Sequence, residues 1–293
     1  MSNRPMTSRP LPSTPLSFLM RYIRARRWQF GALFSVIVAG AACAVLVQYG
    51  MKLLVDAMAS PDRMAADVWT PLMLFLGLIA IENVMWRSGG WLGARTIVAT
   101  GVDMRLDLFQ HLTGHPMRYF SQHFAGSLGS RITATANAAG MILRSLTWSI
   151  VPPCTEIIGA VIVLATIDWR MSVALAFFVV IVALAIVWFG VRGREVHHAF
   201  AHQASHAGGQ LVDVVSNVWT VKAFSARQRE RDRLAQELGM EASSERRSWM
   251  YLEKARLLHD ACLWIMAGSM LLWAIMLWRS ATISPGDVVI ISA

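Results

Sequence analysis

Val214-Val-Ser-Asn-Val-Trp-Thr-Val-Lys-Ala-Phe-Ser-Ala-Arg-Gln-Arg-Glu230 is a short apolar patch framed by charge. It lies inside a polar, Arg-rich segment from Arg192 to His259, and hydrophobic hairpins flank that segment on both sides. The segment is too long and too charged to sit in lipid. The rest of the chain reads as machinery for presenting it, and a smaller segment before it, on one side of a membrane.

Composition supports that reading. The chain has 293 residues, of which 55% are hydrophobic and only 15% charged, and its mean hydropathy is +0.47. A soluble domain of this size carries roughly a quarter charged residues. The net charge of +9 raises nucleic acid as a partner, but its placement is topological. Segments 1–27, 87–144 and 192–259 hold 23 of the 27 Lys and Arg. The loops at 56–70, 168–170 and 279–287 carry −2, 0 and 0. This alternation is the positive-inside pattern of a polytopic helical protein with a cytoplasmic N-terminus. No compact soluble domain carries Arg interleaved with aromatics, so nucleic-acid binding is set aside.

Working outward from the central segment, the spans are expected at about 28–51, 68–91, 145–167, 171–191 and 261–278, with a partial sixth at 285–293. Residues 1–17 hold four prolines among Ser, Thr and Arg and read as a disordered tail. Trp28 to Met51 is longer than the ~7–15 residues of a signal-peptide core. The second span continues as an amphipathic helix to Leu112, where Gly114-His-Pro116 breaks it. Met117 to Phe124 is a short aromatic turn, and Gly126 to Arg144 is again helix-like. Pro152-Pro153 is expected to kink the third span. Ser60-Pro-Asp-Arg63 and Asp168-Trp-Arg170 make turns on the opposite side. Nine residues from Pro285 give only ~13 Å of helix, so the expectation is a truncated sixth span.

In this order the motifs resemble the transmembrane domain of ABC exporters, the type-1 exporter fold. One signature is Leu108-Phe-Gln-His-Leu-Thr-Gly-His-Pro-Met-Arg-Tyr-Phe120 followed by Gly126-Ser-Leu-Gly-Ser-Arg131. Another is Val214 to Phe224 with its Thr-Val-Lys-Ala-Phe core, and Ile283-Ser-Pro-Gly-Asp-Val288 opens a sixth span. The resemblance implies an all-α membrane bundle over 18–293 with long cytoplasmic extensions. It further implies an ATP-driven permease in the bacterial inner membrane, working as a homo- or heterodimer by alternating access. Two coupling helices would meet a nucleotide-binding domain, through Pro116, Arg118, Tyr119 and Phe120 in the first loop. In the second loop they would use Trp219, Thr220, Val221, Lys222 and Phe224. ATP and Mg would belong to that domain. The family usually has Glu soon after the Ala-Phe pair, whereas here Arg227 stands in that region and Glu230 follows.

The chain itself lacks the motor's chemistry. Its three lysines, Lys52, Lys222 and Lys254, neither follow Gly nor precede Ser or Thr, so there is no phosphate loop. No Leu-Ser-Gly-Gly signature occurs, and no catalytic residue is assigned. The alternative reading is a non-transporting membrane anchor or regulator whose cytoplasmic helices bind another partner. A secondary transporter is disfavoured because the spans lack a dense polar pathway.

Glu82 and Glu156 fall within spans, where an ionisable group is by default a candidate site. Either can line a substrate cavity and meet a cationic cargo. The plainer reading for Glu82 is an ion pair with Arg87. His198, His202 and His206 share a helix face beside His197, but one helix cannot enclose a metal, and a polar extension explains them. Cys43, Cys154 and Cys262 each sit in an apolar run and read as small buried hydrophobes.

Overall fold

A computed structural model describes residue 12 and residues 14–60, 67–121 and 125–292. Residues 1–11 and 13 of the expected tail, most of the turn at 60–63, and residues 122–124 of the aromatic turn lie outside the described residues. The elements are α1 (Pro15–Ala25), α2 (Arg27–Met58), α3 (Trp69–Thr113), α4 (Met117–Ser121), α5 (Ala125–Ser145), α6 (Val151–Ile167), α7 (Trp169–Ser216), α8 (Val218–Ala223), α9 (Arg227–Arg279) and α10 (Pro285–Ser292). A π turn, Leu146–Ile150, joins α5 to α6. Among the described residues there is no strand, and five helical stretches are long and apolar enough to cross a membrane. The protein is a multi-pass membrane protein.

Helix length explains how one element serves two environments. A hydrocarbon core of ~30 Å takes about 20 residues. α3, α7 and α9 have 45, 48 and 53. At ~1.5 Å per residue, more than half of α7 and α9 extends past any bilayer. Gly208-Gly209 does not interrupt α7.

Local chemistry sets the ends. Thr14 caps α1, its Oγ1 accepting from Ser17 N–H at 3.4 Å, and Pro15 occupies the first turn. The helix therefore starts three residues inside the expected tail. Asp67 accepts from the N–H groups of Trp69 and Thr70 at the start of α3. Hydrogen bonds from the Thr70 side chain and then its backbone hold this carboxyl below the usual aspartate range. Asp168 opens α7 by accepting from Arg170 N–H at 2.7 Å. At the far end of α9, Ala281 takes φ 56 while Thr282 N–H reaches Leu277 O and Ala281 N–H reaches Trp278 O. That left-handed closure satisfies the last carbonyls.

The chain divides into two compact units, one of α1–α6 with α10, the other of α7, α8 and most of α9. In the first, α2 and α3 run antiparallel and approach through glycines. Gly40 meets Met85 and Trp86, Gly50 meets Phe75, Gly89 meets Ile37, and Gly93 meets Leu33 and Trp148. Small residues at such seams let apolar helices pack where lipid offers no hydrophobic driving force. Phe30, Leu33, Ile37, Ile97 and Leu143 fill the core beside them. α6 joins at Gly159, where a Cβ would lie 2.8 Å from Val45 Cγ2 and 3.1 Å from Cγ1. Before Pro152 and Pro153, which have no N–H for the helix ladder, the backbone widens into the π turn, and Val151 N–H bonds Leu146 O. The expected disturbance at this point is thus a π turn.

α2 runs seven residues past its expected end because two polar side chains there are engaged. Lys52 Nζ lies 2.6 Å from Asp287 Oδ1, and Asp56 accepts from Gly286 N–H at 2.8 Å. At the other end, Tyr22 Oη donates to Asp107 at 2.8 Å, and Arg26 pairs with Asp103 at 2.8 Å. Tyr22, Met104, Ala136 and Ala139 form a second cluster there.

In the second unit, polar contacts tie α7 to α9. Tyr251 Oη donates to Phe189 O at 2.8 Å while its ring covers Gly193, leaving no room for a Cβ. His197 Nδ1 lies 2.7 Å from Ser248 Oγ, His206 Nδ1 3.0 Å from Glu237, and Arg233 donates to Gln210 at 2.9 Å.

Gly159→Ile is expected to cost about 1–3 kcal/mol by overpacking, read as earlier thermal unfolding in nanodiscs, whereas Gly77→Ala, with open space at its Cβ, is expected to be near neutral. Tyr22→Phe removes a hydrogen bond to a carboxylate and is expected to cost about 1.5–3 kcal/mol. Burial first, then the Asp107 carboxylate, raises the Tyr22 phenol above its ordinary value of 10.0. A raised folded-state pKa means this stabilisation is complete below pH ~10 and is lost as pH climbs toward the folded value. Unfolding followed across that alkaline range is expected to show a wild-type decline that is shallower in Tyr22→Phe.

Candidate functional site: two short helices and a mid-membrane acidic level

The first loop forms where α3 stops. Gly114 N–H closes onto Gln110 O and His111 O. His115 Nδ1 lies 3.0 Å from His111 O and 3.2 Å from Leu112 O. A carbonyl only accepts, so the Nδ1 proton points back into the last turn. Tyr119 N–H then bonds Pro116 O at 2.8 Å, starting α4. The Tyr119 ring rests 4.5 Å from His115, and Phe120 meets Tyr119 edge-on at 5.9 Å. Tyr119 and Phe120 are thus half-buried in their own loop, while Pro116 and Arg118 are exposed. The most exposed apolar side chain described in this loop is Met117, at 82%, which stands between the expected contacts Pro116 and Arg118. A flexible thioether opening a five-residue helix is a usable sign of a contact surface.

The second loop is sharper. Asn217 ends α7, its N–H and Nδ2 both bonding Asp213 O at 3.0 Å, and α8 begins at the next residue. α8 closes on Ser225, whose φ is 50. Ala226 N–H bonds Val221 O at 2.9 Å and Ser225 N–H bonds Lys222 O at 3.1 Å, the paired closure of a left-handed cap. Val221 faces partly inward, whereas Thr220 and Lys222 are exposed. Trp219 and Phe224 are 82% and 78% exposed, with Val218 also open beside them. Large aromatics this open on a water-side turn need a reason. Beyond them, Glu230 lies 3.8 Å from Arg229 and 3.9 Å from Arg233. Glu230 thus answers two arginines, while the stretch 227–233 as a whole stays basic.

Glu82 and Glu156 share a depth. α3 meets Gly40 with Met85 and Trp86, and α6 meets Val45 with Gly159, so both carboxylates lie level with the middle of α2. Both are half-exposed. Glu82 accepts from Trp86 Nε1 at 3.1 Å, and no ion pair with Arg87 forms among the described residues. Five positions apart on a helix, the two side chains leave on different faces. Trp86 stacks 6.2 Å from Trp148, which holds the Glu82 donor in place. Trp86 stands four positions after Glu82, one helical turn away, which is the spacing at which two side chains of one helix meet.

Among the described residues, no group of three or more His, Cys, Asp and Glu is placed to hold a metal. His197 and His206 bond α9, while His198 and His202 are exposed.

The comparisons agree with this architecture. The family model described as "ABC transporter transmembrane region" matches residues 17–293. An "ATP-dependent lipid A-core flippase" of Vibrio cholerae serotype O1 is 26% identical over 231 residues, covering 75% of this chain and 38% of the relative. One of the same description from Pectobacterium atrosepticum is 25% identical over 169 residues, covering 56% and 28%. The chain therefore spans well under half the length of these relatives. A solved "bacterial Atm1-family ABC exporter with ATP bound" superposes with a TM-score of 0.74 at 17% identity, covering 91% of this chain and 47% of that one. At that identity the likeness speaks for the fold. Long membrane helices, two short helices at their turns and a family match across nearly the whole chain lead to one conclusion: this chain belongs to the ABC transporter transmembrane family, as an exporter-type transmembrane domain.

Proposed function

We propose that this chain is the permease part of an ATP-driven exporter in a bacterial inner membrane, with its N-terminus in the cytoplasm. It works paired with a second transmembrane domain and with nucleotide-binding domains outside this chain. The observation that carries the reading is α8, a six-residue helix at a hairpin turn with Trp219 and Phe224 projecting from charged surroundings. An exposed aromatic pair with a basic rim suits insertion into a cleft on a partner. Pro116, Met117, Arg118, Tyr119 and Phe120 would serve as the lesser contact, because Tyr119 and Phe120 stiffen the loop from within.

The mechanism follows from helix continuity. α7 and α9 run unbroken from water-side turn to membrane, as does α3. A displacement imposed at α8 or α4 is therefore delivered to the spans with little lost in bending. ATP and Mg would act on the nucleotide-binding domain, and none of this chain's residues is assigned to hydrolysis. Cargo would enter at the level of Glu82 and Glu156. The flippase relatives favour an amphiphile as cargo, and the two carboxylates favour one with a cationic group.

In the assembled transporter, Trp219→Ala with Phe224→Ala is expected to weaken docking of the nucleotide-binding domain roughly 30-fold, from about 2 kcal/mol of hot-spot loss. Substrate-linked ATPase is expected to fall with it, and unchanged docking together with unchanged ATPase would remove the coupling role. In proteoliposomes, Glu82→Gln with Glu156→Gln is expected to raise the half-stimulating concentration of a cationic amphiphile about 10-fold or more, as expected for losing charged hydrogen-bond acceptors. An equal shift for a neutral amphiphile would argue against the carboxylates as its contacts.

A further inference from the structure

α1 is two-sided, and only one side is accounted for by the fold. Its inner side, Phe18, Leu19 and Tyr22, packs on Met104, Ala136 and Ala139. On the other side, Leu16, Met20 and Arg24 follow at intervals of four and share a face. Arg27 and Trp28 come just after the backbone break at Arg26, where α2 begins its course into the membrane. All five are exposed, Leu16 at 73% and Trp28 at 81%.

The charge on this face is unanswered. The acids nearest to α1, Asp103 and Asp107, are already taken by Arg26 and by the Tyr22 hydroxyl. Among the described residues neither Arg24 nor Arg27 meets a carboxylate, and the Arg27 guanidinium instead lies 5.6 Å from the Trp28 ring centre. Two cations thus stand beside two apolar side chains where a span emerges.

We propose that this face of α1 docks anionic phospholipid headgroups of the adjoining leaflet. Arg24 and Arg27 take the phosphates, for which a guanidinium offers paired donors. Leu16, Met20 and Trp28 enter the boundary between headgroups and acyl chains. A net negative lipid is required, because a zwitterionic headgroup brings its own ammonium and leaves the two arginines uncompensated. A soluble polyanion fits less well, since it would leave Leu16 and Met20 facing water. Lipid held here bears on the long α3 helix through Tyr22–Asp107 and Arg26–Asp103, so leaflet charge would reach the element that carries α4.

The test uses the whole chain in nanodiscs of mixed phosphatidylcholine and phosphatidylglycerol, with lipid retained after detergent extraction measured by native mass spectrometry. Wild type is expected to retain phosphatidylglycerol preferentially, and the preference is expected to fall roughly fivefold for each arginine removed in Arg24→Gln and Arg27→Gln. The charge-keeping pair Arg24→Lys with Arg27→Lys is expected to preserve most of it, as is Arg256→Gln on α9. Added inorganic phosphate is expected not to displace the lipid. The proposal is overturned if wild type shows no preference, if the Gln variants keep it, if Arg256→Gln loses it equally, or if phosphate competes. Should the Gln variants fail to insert, a wild-type preference that survives high salt also overturns it, because headgroup attraction at an exposed face is screened.

Discussion

A peptide group inside a bilayer has no water to bond, and that constraint governs the whole chain. Each backbone N–H and C=O in the hydrocarbon must be satisfied within its own helix. The segments that cross are therefore unbroken, and the interruptions gather outside them, at Arg26, Gly114 to Pro116, Asn217 and Ser225. The π turn Leu146–Ile150, which falls at the start of the third span before Pro152 and Pro153, remains hydrogen-bonded through Val151 N–H and Leu146 O. Because lipid is as apolar as leucine, burial cannot hold these helices together either. Close approach does it, at Gly40, Gly50, Gly89, Gly93 and Gly159.

Past the membrane the contacts change character along the same helices. Among apolar residues α2 and α3 meet through glycine and methyl groups. Beyond that stretch α3 is held by Tyr22 on Asp107 and by Arg26 on Asp103. α7 and α9 show the polar version over a longer distance, from Tyr251 on Phe189 O through His197 and Ser248 to Arg233 on Gln210. Hydrogen bonds substitute for burial where water is present, because apolar faces exposed there would promote aggregation. Several apolar residues stay open against that trend, and Met117, Trp219 and Phe224 are the most open of those described on the two loops. A stiff helix ending in an unsatisfied apolar tip is suited to receiving force from a partner.

The two loops differ in how their side chains are spent. In the first, Tyr119 packs onto His115 and Phe120 onto Tyr119, so these aromatic residues brace the turn while staying partly open. In the second, the left-handed residue Ser225 closes α8 just after Phe224, and Phe224 and Trp219 stay exposed. Backbone closure rather than composition distinguishes the two.

Hydropathy and charge alone determine the class and the five long apolar helices found among the described residues, because transfer from water to hydrocarbon is large and acts residue by residue. Motif order identifies the family, and the apolar patch at Thr220 to Phe224 is visible for the same reason, as the wrong chemistry for its surroundings. Tertiary structure decides the rest. The extension of α2 past Met51 depends on Asp287 and Gly286, more than two hundred residues away. The partner of Glu82 is Trp86 rather than Arg87 because helical phase separates the latter and Trp148 steadies the former. Among the described residues Arg24 and Arg27 meet no carboxylate, because Asp103 and Asp107 are engaged by Arg26 and Tyr22. Such competition for partners is a property of packing, and no local stretch of sequence encodes it.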